Sequence, residues 1–122
     1  MYSLISNYTW TINKISDLKK LKKNKMNKQV NIAIQILPFT NDIHPYIIID
    51  KAIEVIINSG VKYMVCPFET VMEGNYEELM KIVEKIHEIC YQYGAEEIIC
   101  NLKIQSHKTN QVTINDKMVK YQ

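Results

Sequence analysis

Strict alternation of side chains in residues 30–36 limits the fold of this chain more than any other feature. Ile32, Ile34 and Ile36 occupy every second position and are separated by polar or small residues. A period of two indicates a half-buried β-strand, so we expect these isoleucines to point into the core. Pro38 lacks a backbone N–H and is expected to stop the strand.

A helix is predicted after this strand. Asn41 or Asp42 can cap it, Pro45 suits its first turn, and Gly60 ends it. Its apolar stripe consists of Ile49, Ala52, Ile53 and Ile56. Residues 61–65 are predicted to form the second strand and residues 70–73 the third, with a break at Cys66-Pro67 between them.

The second half of the chain repeats the pattern of a helix followed by a strand. Asn75 can cap a helix that Gly94 closes. Its stripe consists of Leu79, Ile82, Val83, Ile86, Ile89 and Cys90. Residues 97–105 are predicted to be the fourth strand, and residues 113–116 can start a short terminal helix.

The order β-α-β-β-α-β predicts an α+β, ferredoxin-like sandwich, in which one four-stranded antiparallel sheet carries two helices on one face. The other face is left open. It is expected to show Asn31, Ala33, Gln35, Leu37, Ile99, Asn101 and Lys103. A face that is half apolar usually buries against another subunit, so we expect a homo-oligomer, a dimer of dimers (a tetramer) formed through sheet faces or edges.

Charge divides the chain into two parts. Residues 1–28 hold seven Lys against Asp17 alone, whereas residues 29–122 hold eight Lys against twelve Asp and Glu. We expect residues 1–28 to be a poorly ordered or non-native Lys-rich extension, with Met26 as an alternative start, and residues 29–122 to be the ligand-binding domain. The arrangement resembles neither a signal peptide nor a membrane helix, so a cytoplasmic protein is expected.

Composition disfavours several function classes. All fifteen basic residues are Lys, which argues against a mechanism built on an Arg phosphate cradle. The first strand offers no aromatic residue to stack RNA bases, and the domain is acidic. His87 and Cys90 lie three apart on a helix, but further metal ligands are not evident. We therefore predict a protein that is not an enzyme, with no catalytic residues, no metal, no cofactor, no nucleic-acid partner and no direct membrane insertion.

Residues 68–74 bring a hydroxyl, Thr70, and a carboxylate, Glu73, to a strand that leads into a helix. Carboxylates are depleted in strands because burying them costs free energy. Glu73 can therefore offset the charge of a cationic ligand, or it can be a strand-end charge favoured by a nearby helix dipole. Thr70 can bond a ligand heteroatom or merely reflect strand propensity.

Other candidate ligand-binding residues lie near this segment. Gln35, Asn101 and Lys103 can contact the edges of a ligand or bond across a subunit interface. Phe68, at the hairpin tip, is the best candidate for stacking on a flat ring. Tyr63 and Tyr76 are weaker candidates, since aromatic residues more often fill a core or an interface.

Several blocks of the sequence match a known family. They are Gln35-Ile36-Leu37-Pro38, residues 59–63, Asn101-Leu102-Lys103-Ile104 and, most distinctively, Thr70-x-x-Glu73-Gly74. Together they resemble the small thiamine-binding proteins, also called YkoF-like, over residues 29 to about 121.

The resemblance implies a ferredoxin-like fold, homo-oligomers, and non-catalytic binding of thiamine or its hydroxymethylpyrimidine moiety in vitamin uptake or salvage. It carries a ligand-binding role to Thr70 and Glu73. The chain departs from the family at Glu69, where Gly is common, and at His107 and Lys108, where Arg often occurs. The alternative is a structural or regulatory oligomer that binds no small molecule.

Overall fold

Strand β1 (Gln29–Thr40) is the longest strand and lies inside the sheet. The computed structural model describes residues 28–122, so the predicted extension lies outside it apart from Lys28. The other elements are α1 (Pro45–Ser59), β2 (Lys62–Val65), β3 (Thr70–Asn75), α2 (Tyr76–Gln92), β4 (Ala95–Gln105), α3 (Ile114–Met118) and a 3-10 turn (Val119–Tyr121). The antiparallel order β2-β3-β1-β4 confirms the predicted α+β sandwich.

The core lies between the sheet and the two long helices. Ile32, Ile34 and Ile36 are buried in it, as the alternation predicted. The helices contribute Ile48, Ala52 and Ile56 from α1, and Leu79, Ile82, Val83, Ile86 and Cys90 from α2. The α1 stripe is centred one residue earlier than expected, since Ile48 is buried while Ile49 and Ile53 are half-buried.

The prediction that Pro38 stops β1 is wrong. The strand continues to Thr40, and Pro38 pairs with Ile98 of β4. The β3 register ends at Ile34, so in the described chain β1 pairs only with β4 beyond that point. A Pro is tolerated where a strand has an unpaired edge, because its missing N–H need not break a ladder hydrogen bond.

The predicted start of α1 is also wrong in detail. Neither Asn41 nor Asp42 caps the helix. His44 is the N-cap, and its Nδ1 accepts from the backbone N–H of Tyr46 at 3.2 Å. The residue before a Pro is biased towards an extended backbone, which is the conformation of an N-cap, so Pro45 places the cap at His44.

Three other predicted helix ends are confirmed, while α2 ends at the C-cap Tyr93, one residue before the predicted Gly94. Gly60 ends α1 with φ 82°, a left-handed conformation that favours glycine. Asn75 caps α2, and its Oδ1 accepts from the N–H of Glu77 at 3.0 Å. Thr113 caps α3 by accepting from the N–H of Asp116 at 3.0 Å.

The open face of the sheet is less open than predicted. Asn31 is only 3% exposed, and the next residue on that face, Ala33, is 9% exposed. The chain after β4 returns to this end of the sheet, where Val112 and Ile114 are buried. The amide Nδ2 of Asn31 donates to the Val112 carbonyl at 3.2 Å. Sequence periodicity missed this contact because the segment has no repeating pattern.

Candidate functional site

Five polar and aromatic residues meet on the part of the open face that remains uncovered. They are Gln35 of β1, Phe68 and Glu69 of the loop before β3, and Asn101 and Lys103 of β4, and they line a shallow depression of about 430 Å³. We call this the open-face depression. Four of the six predicted ligand-binding residues are therefore together.

Hydrogen bonds organise the depression. Gln35 and Asn101 are directly opposite in the β1–β4 register, and Nδ2 of Asn101 donates to Oε1 of Gln35 at 3.1 Å. Lys103 lies opposite Ala33, whose small side chain leaves room above it. The Lys103 Nζ donates to Oε1 of Glu69 at 2.7 Å.

A second cavity lies beside the depression. It has a volume of about 210 Å³ and lies between residues 34–37 of β1, residues 65–70 and α1. We call it the edge cavity. Gln35, Phe68 and Glu69 line both spaces, so the two are neighbours at these three residues. Thr70, the fifth predicted residue, lines the edge cavity and is 5% exposed.

The unequal lengths of the strands create the edge cavity. β3 begins at Thr70, opposite Ile34, while β1 runs on to Thr40. Residues 35–37 of β1 therefore line the cavity from a strand edge that β3 does not pair. An unpaired edge presents backbone donors and acceptors, which can form hydrogen bonds with the polar atoms of a heterocycle.

Aromatic side chains stand at the mouth of the edge cavity. Phe68 is 83% exposed and Tyr46, at the start of α1, is 69% exposed. Sequence reasoning missed Tyr46, because its place near the loop depends on how α1 packs on the sheet. Tyr76 instead packs against the core, and Tyr63 lines neither space.

Glu73 lies on the open face, as Gln35, Asn101 and Lys103 do, but near the Asn31 end of that face and outside both spaces. Thr70 pairs with Ile34, on the helix-covered face, whereas Glu73 pairs with Asn31 on the opposite face. Three residues along a strand reverse the face, since side chains alternate. The Glu73 Oε1 accepts from the backbone N–H of Ile114 at 2.7 Å, and Glu73 lines neither space. The backbone partner of Glu73 is therefore the first residue of α3.

The chain after β4 is fastened at several points around Glu73. The Val112 N–H donates to the Gln29 carbonyl at 3.0 Å, and the Gln29 N–H donates to Oε1 of Gln111. Lys117 Nζ donates to Oε1 of Gln105 at 2.8 Å. We call residues 111–118 the C-terminal strap. Among the described residues, it gives Glu73 a structural contact that the sequence did not reveal.

Two thiols lie in or against the core. Burial raises the pKa of the Cys90 thiol to about 11, with a smaller contribution from Cys100, and burial also raises the pKa of Cys100. Thiols with raised pKa values stay protonated at neutral pH and are poor nucleophiles. Within residues 28–122, no three His, Cys, Asp or Glu side chains cluster as metal ligands. The ring of His87 contacts the Val83 carbonyl at 2.9 Å through Nδ1.

Comparison with known proteins identifies the family. The sequence model of the thiamine-binding protein family matches residues 32–122. The chain belongs to the thiamine-binding protein family. A UPF0045 protein of Clostridium perfringens is 44% identical over 91 residues, which cover 75% of this chain and 95% of that protein. The resemblance recognised in the sequence is thereby confirmed.

Solved structures of family relatives share the fold. A Bacillus cereus domain of unknown function, DUF77, is 37% identical with a TM-score of 0.76, and the match covers 81% of this chain and 95% of that one. A Thermotoga maritima protein provisionally assigned to thiamine biosynthesis or salvage is 34% identical with a TM-score of 0.70. That match covers 77% of this chain and 99% of the other.

None of the helices between residues 28 and 122 is both long and apolar enough to span a bilayer.

Proposed function

We propose that this member of the thiamine-binding protein family binds thiamine or its hydroxymethylpyrimidine moiety without catalysing a reaction on it. The observation that carries the proposal is that the edge cavity and the open-face depression are neighbours and share three lining residues, Gln35, Phe68 and Glu69. A ligand with a flat heteroaromatic ring and polar substituents needs an apolar slot beside a polar rim. The edge cavity supplies the slot and the depression supplies the rim.

Each part of the site suits one part of such a ligand. Phe68 and Tyr46 offer aromatic faces on which a pyrimidine ring can stack. Thr70 and the part of β1 that β3 does not pair line the edge cavity, and they can supply hydrogen-bond partners for ring nitrogens and an exocyclic amine. Gln35 and Asn101 supply amide groups at the rim. These contacts orient a ligand and require no acid–base machinery.

Glu73 is the member of the predicted set that we assign to the fold. Its carboxylate already accepts a hydrogen bond from the strap, and a ligand would have to displace that bond. Removing a partner from a charged group costs more than a typical neutral hydrogen bond contributes.

Calorimetric titration with thiamine and, separately, with its hydroxymethylpyrimidine tests the proposal. We expect one site per chain for at least one of the two. Thr70→Val should weaken binding about three- to tenfold, since it removes one hydrogen-bonding hydroxyl at constant shape. Thr109→Val, in an exposed loop away from both spaces, is the matched control. No heat with either compound, together with no retained ligand in native mass spectra, would overturn the proposal.

A structural or regulatory oligomer without a ligand is the second candidate. It is favoured by three apolar side chains on the open face next to the depression: Leu37, Phe39 and Ile99 are 39%, 48% and 44% exposed. Native mass spectra separate the two candidates, because an oligomer of bare chains supports this one and bound small molecule supports the first.

A further inference from the structure

Glu69 is the one described residue lining either space that carries a carboxylate. Its side chain is 26% exposed and stands at the border that the edge cavity and the open-face depression share. The loop that carries it is closed by a hydrogen bond from the Cys66 N–H to the Glu69 carbonyl at 2.9 Å. The backbone of Glu69 is therefore held by the loop, and its side chain lines both spaces.

The partner of this carboxylate is easily exchanged. The Lys103 ammonium contacts Oε1 of Glu69 at 2.7 Å, yet the Lys103 side chain is 73% exposed. Exposed ion pairs are weak because water solvates the separated charges well and the long Lys side chain loses freedom in the pair. Lys103 can return to solvent at small cost, whereas Glu69 remains beside both spaces, where a ligand cation can replace the ammonium group.

We propose that the Lys103 ammonium group occupies the position that the positive charge of a ligand takes when it binds. A cationic heteroaromatic ligand then displaces Lys103 and pairs with Glu69. Glu69 then determines specificity for positively charged ligands, and Lys103 lowers their affinity by competing for the same carboxylate. This inference rests on the proposed function, since it concerns the same two spaces. Glu69, in place of Glu73, is thus the carboxylate that offsets the positive charge of the ligand.

The arrangement predicts a specific coupling between the two residues. Lys103→Met frees Glu69 and should tighten thiamine binding about two- to fivefold, the range that an exposed ion pair is worth. Glu69→Gln should weaken thiamine binding about tenfold or more, because it removes a charge-assisted contact. In the Glu69→Gln background, Lys103→Met should no longer tighten binding, since no carboxylate remains to be freed.

The test is calorimetric titration of thiamine into the wild type, both single variants and the double variant at low ionic strength. Lys62→Met and Glu97→Gln are the controls, since each makes the same charge change on an exposed side chain that lines neither space. Both controls should bind as the wild type does. Thermal melts of every variant confirm folding, and Lys103→Met carries the test alone if Glu69→Gln does not fold.

The outcomes separate this inference from the proposed function. If the wild type binds thiamine but Lys103→Met leaves the affinity unchanged or weaker, the inference is overturned while the proposed function stands. Equal tightening by Lys103→Met with and without Glu69 also overturns it, since that result reflects general repulsion. If only Lys103→Met binds thiamine, the inference holds and the wild type does not serve the proposed function. If neither binds, both fail.

Discussion

The two ends of the open sheet face differ in what covers them and in how each holds its carboxylate. At the Asn31 end, the C-terminal strap buries the sheet, and Glu73 accepts a backbone hydrogen bond. At the Gln35 end, β1 runs past β3 and the surface is concave. Among residues 28–122, the Glu69 carboxylate pairs only with the exposed side chain of Lys103. A carboxylate bonded to the backbone stabilises the fold, while one with an exchangeable partner is available to a ligand.

The largest expected effect is a difference in how much each end of the open face contributes to the free energy of unfolding. Ile114→Ala should lower the free energy of unfolding by about 2–5 kcal/mol, because it leaves a cavity under the strap. Ile114 is 5% exposed, whereas Ile99 at the other end is 44% exposed. Ile99→Ala should therefore cost less than about 1 kcal/mol. Urea melts of both variants measure the difference, and equal losses would contradict the comparison.

The predictions made from the sequence show which features of such a face can be found without coordinates. Alternation identified Ile32, Ile34 and Ile36 as core residues, and the cap at Asn75 was recognised from residue type alone. The prediction at Pro38 is wrong because Pro ends a strand only where the strand edge that its nitrogen faces is paired. The strap was missed because Val112 and Ile114 are buried by contacts far apart in sequence, with no period to reveal them.

The site was predictable in part for a similar reason. Gln35, Asn101 and Lys103 were placed on one face by strand period, and the structure brings them to one depression. The same period puts Thr70 and Glu73 on opposite faces, so their shared motif does not make them a pair. In the sequence, Glu69 stands out only because Gly is common at this position in the family. Its meeting with Lys103 depends on strand order, which brings residues 34 positions apart into contact.

A second expected effect concerns association through the uncovered end. We predict that the protein forms a homo-oligomer that buries Leu37, so Leu37→Asp should weaken association at least about tenfold, because an unpaired carboxylate is costly to bury. Ile57→Asp is the control, since Ile57 is 46% exposed on α1, away from this face. Sedimentation velocity at micromolar concentration measures both. A wild type that sediments as a monomer would remove this prediction.

The smallest expected effect compares the two carboxylates, Glu73 and Glu69, in stability and in thiamine affinity. Glu73→Gln should lower the free energy of unfolding by about 0.5–1.5 kcal/mol, because the bond to the Ile114 N–H loses its charge, and should leave thiamine affinity unchanged. Glu69→Gln should do the reverse. Melts and titrations on both variants give the comparison. Tenfold weaker thiamine binding by Glu73→Gln at unchanged stability would show that Glu73 is the ligand carboxylate after all.

The most direct test of the account is a map of backbone amide chemical shifts during titration with thiamine. The account predicts that shifts concentrate at Gln35, Phe68, Thr70 and Lys103, at the end where β1 outruns β3. The amide chemical shifts of the C-terminal strap and of Glu73 should not change, because that end of the sheet face stabilises the fold and does not contact the ligand. Shifts centred on Glu73, Val112 and Ile114, with residues 68–70 unmoved, would contradict the division of the sheet face into a structural end and a binding end.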